Sequence, residues 1–199
     1  MGNYSNIKLL FIAVAITLVA TGCAGTKGSS TVLQPVDKYI ELAAYEKLEI
    51  DTSAQNGAYV QDDVKERIAG LIKAKIWEAD LKQFKDVCVQ CKNDSGLKLE
   101  VVFTRYEKGS AGARFFLAGL GQIHIDAIVS LVDKITGKVL AKTEATKTFA
   151  WGGIYGGATS IEDVEPAFAE AVVEILKQNG EKKEEIKKVK AQGKFKGEG

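Results

Sequence analysis

The chain has 199 residues, 46% hydrophobic and 27% charged, with 27 basic against 26 acidic side chains. That apolar content fills the core of one ordinary domain and excludes wholesale disorder. The near-neutral balance excludes the electrostatic footprint of a nucleic-acid binder.

The first stretch reads as an export leader. Lys8 precedes an apolar run, 9–19, interrupted only by Thr17, and small residues then lead to Cys23. The run is shorter than the roughly 20 apolar residues of a spanning helix and fits the apolar region of a secretory signal. Ala20-Thr21-Gly22-Cys23 resembles a bacterial lipobox. The resemblance implies that 1–22 is a signal peptide cleaved before Cys23 and that the Cys23 thiol carries a covalent lipid. Residues 22–30 continue as a small, polar linker, which argues against an uncleaved helix. Ala24 is not Asp, and by resemblance to sorting in two-membrane bacteria this points to the outer membrane, with the domain facing the periplasm.

Residues 23–39 then read as a lipid-anchored, Gly/Ser/Thr-rich flexible tether. A single α+β domain is expected over 40–179. Alternation of apolar and polar residues gives a short strand at 48–52. Val60, Val64, Ile68, Leu71, Ile72, Lys75 and Ile76 recur at helical spacing within 59–79, with Asp62 and Asp63 suited to the helix N-terminus. A short strand is expected at 84–89 and a turn at 93–96. A clear strand follows at 97–106. Residues 123–131 alternate again, 133–137 form a tight turn, and the chain returns through 139–151. Ser160 or Glu165 is suited to cap a last helix, Pro166 fits its first turn, and Phe168, Val172, Ile175 and Leu176 form its core stripe. Residues 180–199, rich in Lys and Glu, read as a disordered, solvated tail. The expected architecture is a mostly antiparallel sheet with two main helices on one face.

Cys88 and Cys91 form Cys-Val-Gln-Cys in what the leader makes an oxidising setting, so a small structural disulfide is the plain reading. Redox motifs of this spacing sit at a helix N-terminus, whereas this pair follows a strand. Haem attachment needs His after the second Cys, where Lys92 stands. A zinc site needs two more ligands, and His124 is the sole histidine. No metal and no cofactor beyond the lipid are expected. His124 shares a strand face with Asp126 and Ser130, with Glu144 or Thr146 across from them. Neighbours at i and i+2 on one face are about 7 Å apart, too far for a hydrogen-bonded triad.

Matching the apolar faces of the hairpin pairs Val129 with about Ala141 and Ile123 with about Lys147. Two glycine-rich segments then meet at its open end, GSAGARFFLAGLG (109–121) and WGGIYGG (151–157). Glycine permits close backbone approach, and Arg114, Phe115, Phe116, Trp151 and Tyr155 offer contact area for a partner.

The run Tyr106 to Arg114, Gly119 to Gly121, and Asp133-x-x-Thr136-Gly137-Lys138-Val139-Leu140 resembles a group of bacterial lipoproteins gathered as domain-of-unknown-function family 4410. The resemblance extends over about 39–178 and implies an envelope lipoprotein with no assigned activity. The expected function is therefore a lipid-anchored envelope protein, non-enzymatic, that binds or assembles with an envelope protein or with itself. The alternatives are a homo-oligomeric structural or pore-associated protein and an envelope hydrolase.

Overall fold

The computed structural model describes residues 28–36, 42–91, 94–117 and 119–177. The leader, Cys23 and the 180–199 tail lie outside the described residues. Six strands form one sheet: β1 Ser29–Gln34, β2 Lys47–Ala54, β3 Asp86–Val89, β4 Leu97–Glu107, β5 Ile123–Asp133 and β6 Val139–Phe149, in the spatial order β1-β6-β5-β4-β2-β3. Among the described residues four α-helices accompany them: α1 Asp62–Glu78, α2 Ala111–Phe116, α3 Gly153–Ala158, and α4 over 165–177.

The sheet is mixed rather than mostly antiparallel. β1, β6, β5 and β4 pair antiparallel in succession, but β2 runs parallel to both β4 and β3. The cause is α1. A helix of 17 residues spans about 25 Å at ~1.5 Å per residue. It returns the chain to the edge from which β2 started, so β3 must run the same way as β2.

A second correction concerns the tether. Residues 29–34 are strand β1, pairing Ser29 with Thr146 and Ser30 with Ala145. A Ser/Thr-rich edge strand with mostly exposed side chains carries no apolar alternation, and so resembles a linker.

One face of the sheet is covered. Leu48 and Ile50, Leu99, Val101 and Phe103, and Ile123 through Leu131 at alternate positions are buried. Against them pack Val64, Ile68, Ile72 and Ile76 of α1 and Phe168, Val172, Ile175 and Leu176 of α4, so both main helices occupy one face as expected. Phe168 stacks on Phe103 with ring centroids 5.7 Å apart. Between the helices, Glu165 is buried and receives both Arg67 Nε and a terminal nitrogen at 2.8 Å, and the Tyr106 hydroxyl at 2.8 Å. Glu165 therefore ties α4 to α1 and β4 rather than capping its own helix. Ser160 makes the local turn instead, donating its N–H and hydroxyl to Asp163 at 2.8 and 2.9 Å.

The β5–β6 hairpin closes on Asp133. Its Oδ1 accepts the Ile135 and Thr136 N–H groups at 3.0 and 2.7 Å and the Thr136 hydroxyl at 2.8 Å, while Oδ2 accepts the Tyr45 hydroxyl at 2.7 Å. The Tyr45 hydrogen bond, then those of Thr136, hold the Asp133 carboxyl below the usual range. The same bond pushes the Tyr45 phenol up to about 12. A lowered carboxylate contributes stability above its unfolded value, near pH 4, and loses it as pH falls through the folded value. A raised phenol contributes below its unfolded value near pH 10 and loses it as pH rises towards the folded one. Asp133→Asn is thus expected to be less stable than the wild type in urea unfolding at pH 7. The gap should narrow at pH 3; a gap of the same size at both pH values would refute the assignment.

Candidate functional site

At the end of the sheet where β4 and β6 finish and β5 begins, two short helices make a cap. α2 opens on Ser110, whose hydroxyl accepts the Ala113 N–H at 3.2 Å and whose own N–H is donated to the Gly121 carbonyl at 3.1 Å. Gly121 has φ +68°, and a Cβ there would run into Ser110, so the loop closes only with glycine. α3 follows β6 and packs on α2. Gly156 lies against the Trp151 carbonyl and the Arg114 stem, and Gly157 against the Phe115 ring. The two glycine-rich segments do meet at the open end of the hairpin.

The register there differs from expectation by two residues. Ile123 pairs with Phe149 and Ile125 with Lys147, while Val129 pairs with Thr143. An irregularity between Leu131 and Val132, next to the turn, shifts the ladder.

Arg114 is not part of the contact surface. It is 2% exposed. Its Nε donates to the Gly156 carbonyl at 2.8 Å, one terminal nitrogen to the Lys108 and Gly121 carbonyls at 3.1 and 2.6 Å, and the other to the Thr159 carbonyl at 2.9 Å. The planar fork of a guanidinium suits this four-carbonyl clamp. Trp151 is half-buried against the core and meets the Tyr155 ring edge-on, with centroids 5.8 Å apart.

Phe115, Phe116 and Tyr155 face outward, joined by Leu117, Leu120 and Ile154, which the sequence reading did not single out. The available signal was charge: Arg114 is the one charged residue in 109–122, and 149–159 has none.

The open face of the sheet carries the His124 group. Thr148 lies opposite His124 and meets its ring nitrogen at 3.1 Å, and of the two residues expected across from the group Thr146 is opposite Asp126 while Glu144 is not opposite any member. Asp126 faces Thr146 and Arg105, Ser130 faces Lys142 and Glu100, and Glu144 faces Ile128. Burial pushes the Asp126 carboxyl up. Further along, Lys134 pairs with Glu49, and Lys98 with Glu100 and Asp51. These side chains follow strand spacing across the open face. Cys88 and Cys91 are bonded at the β3 edge, with Cα atoms 5.9 Å apart. Among the described residues, no group of three or more His, Cys, Asp or Glu is placed to hold a metal, and no helix is long and apolar enough to cross a membrane.

Comparison with solved structures identifies the fold. A variant PelC dodecamer from Paraburkholderia phytofirmans is similar with a TM-score of 0.50 at 15% identity, over 74% of this chain and 96% of that one. A second PelC dodecamer structure from the same organism gives 0.49 at 14% identity, over 74% and 96%. XCC0632 from Xanthomonas campestris, a protein of family DUF330, gives 0.39 at 17% identity, over 78% and 91%. No match is found among curated proteins. The family model described as "Domain of unknown function (DUF4410)" matches residues 31–153, and the chain belongs to that family.

Proposed function

We propose that the protein is a lipid-anchored component of the bacterial cell envelope that acts as a non-enzymatic assembly module, and that it does so as a homo-oligomer. The observation that carries this reading is the fold it shares with nearly the whole chain of a protein solved as a dodecamer. The leader supports the location: a lipobox-like Cys23 holds the domain at a membrane facing the periplasm. The sheet supports the mode of assembly. It ends in two unlike edges, β1 and β3. β1 shows Val32 and Leu33 to solvent beside its unpaired backbone groups. Contact between unlike surfaces of successive copies is the geometry that closes rings. The open face supports a non-enzymatic role, because its acids and bases are spread at strand spacing and several pair with one another.

The test is the mass of the intact, detergent-extracted protein by light scattering and native mass spectrometry, with the modification at Cys23 read from the same sample. A defined oligomer is expected, weakened by Val32→Glu or Leu33→Lys with the circular dichroism spectrum unchanged. A sharp monomer at every concentration would remove the oligomer. An unmodified Cys23 would remove the anchored location.

A further inference from the structure

We propose that the cap formed by α2 and α3 is a membrane-contact surface, which lays its apolar side chains into the interface of the bilayer that holds the anchor. The inference rests on the reading of Cys23 as the lipid attachment point, and it adds which end of the domain meets the lipid.

Three independent observations converge. The first is the direction of the chain. β1 runs antiparallel to β6, so Ser29 sits opposite Thr146 while Gln34 sits opposite Lys142, further from the cap. Thr146 is three residues before Phe149, the end of β6, which is about 10 Å at ~3.4 Å per residue. Gly28, just before β1, lies against Ala167 and Ala171 in the first half of α4. The polypeptide therefore enters the fold at the cap end of the sheet.

The second is reach. Cys23 precedes Gly28 by five residues, which span at most about 18 Å even fully extended. A lipid on Cys23 thus holds the cap end of the sheet close to the headgroups. α4 points the other way: Glu165 meets Tyr106 near the end of β4, and Phe168 meets Phe103 one step back along that strand. The hairpin turn at 134–136 lies at the far end.

The third is the chemistry of the surface. Phe116 is 79% exposed, Ile154 80%, Tyr155 63%, Leu120 56% and Leu117 54%. Five strongly exposed apolar side chains gathered on two short segments that pack together are what soluble surfaces avoid. The one charge within the two segments, Arg114, is spent inside the cap on backbone carbonyls. An aromatic and aliphatic surface whose two segments carry no outward charge, with the exposed Glu107 and Lys108 beside them, suits the headgroup–acyl boundary, where apolar burial offsets the cost of approach. Lipid accounts for all three observations; a second copy docking on the cap accounts for the surface but not for the short tether that brings it to the membrane.

The test uses the full chain with its anchor, reconstituted in vesicles of phosphatidylethanolamine and phosphatidylglycerol. Ile154→Cys places a thiol on the cap, and Ile135→Cys places one on the exposed turn at the opposite end. Each is labelled with a polarity-sensitive fluorophore without reduction, so that Cys88 and Cys91 stay bonded. The label at 154 is expected to be blue-shifted and quenched several-fold more than that at 135 by lipids bearing a nitroxide near the headgroup. Equal, weak quenching at both positions overturns the inference. A blue shift at 154 without lipid quenching also overturns it, assigning the cap to a protein contact. Labelling of the wild-type chain at Cys23 shows a free thiol there, which overturns the anchored reading beneath the inference and is distinguishable from failure of the cap itself.

Discussion

Glu165→Ala is expected to lower the unfolding free energy by about 2–3 kcal/mol. Breaking a buried ion pair from one side costs ~3–5 kcal/mol when the orphaned partner stays dry. Here the side chain of Arg67 is 39% exposed, against 1% for Glu165. The guanidinium can turn to water, which screens part of the loss. Tyr106 has less freedom. Burial first, and the hydrogen bond to Glu165 second, push its phenol up, and its hydroxyl loses its acceptor when the carboxylate goes. At this size the loss corresponds to a drop of about 5–10 °C in melting temperature. Glu165→Gln keeps the shape and an acceptor for Tyr106 but not the charge, so roughly half the loss is expected. A urea-unfolding cycle with Arg67→Ala isolates the pair. Coupling below about 0.5 kcal/mol would mean that α1 and α4 are held by apolar packing alone.

That network is not readable from the sequence. Glu165 stands just before Pro166 at a helix start, where a carboxylate has an ordinary local role. Its actual partners lie 98 and 59 residues away, and no local pattern encodes them. What periodicity does encode was recovered. The stripe Val64, Ile68, Ile72, Ile76 is buried on α1, and β4, β5 and β6 occupy the expected stretches. The meeting of two distant glycine-rich segments was also readable, because a hairpin forces its two open ends together whatever its exact register. Strand direction was not, since it depends on where α1 delivers the chain. Nor was β1: its membership of the sheet comes from backbone pairing with β6, to which its side chains contribute little signal. Arg114 misled for a third reason. A lone charge in an apolar segment reads as surface, yet four carbonyls converging from α3 and from three loop positions make the interior the better place for it.

This last point governs how the cap should be tested. Arg114→Ala is expected to open the cap while leaving the sheet and its two large helices folded. Hydrogen bonds to a charged donor are worth ~1.5–3 kcal/mol each, and four are lost, but Lys108, Gly121 and Thr159 are exposed or half-buried, so their carbonyls partly regain water, while that of the buried Gly156 does not. A local loss of about 3–4 kcal/mol follows, which is two to three decades of amide protection at ~1.4 kcal/mol per decade. Hydrogen exchange should therefore quicken by that factor at 111–117 and 153–159, with protection in β4 and β5 almost unchanged. Arg114→Lys should recover little, because one ammonium cannot serve a fork-shaped set of acceptors. Unchanged protection in the Ala variant would show that glycine-mediated packing between α2 and α3 suffices without the clamp. Charge reversal at Arg114 is for the same reason a poor probe of what the cap touches, since it would damage the surface by unfolding it. Phe116→Ser and Ile154→Ser remove exposed side chains that contribute little to the fold. They should leave exchange in both segments intact while weakening the contact the cap makes, so comparing them with Arg114→Ala separates the scaffold from the surface it presents.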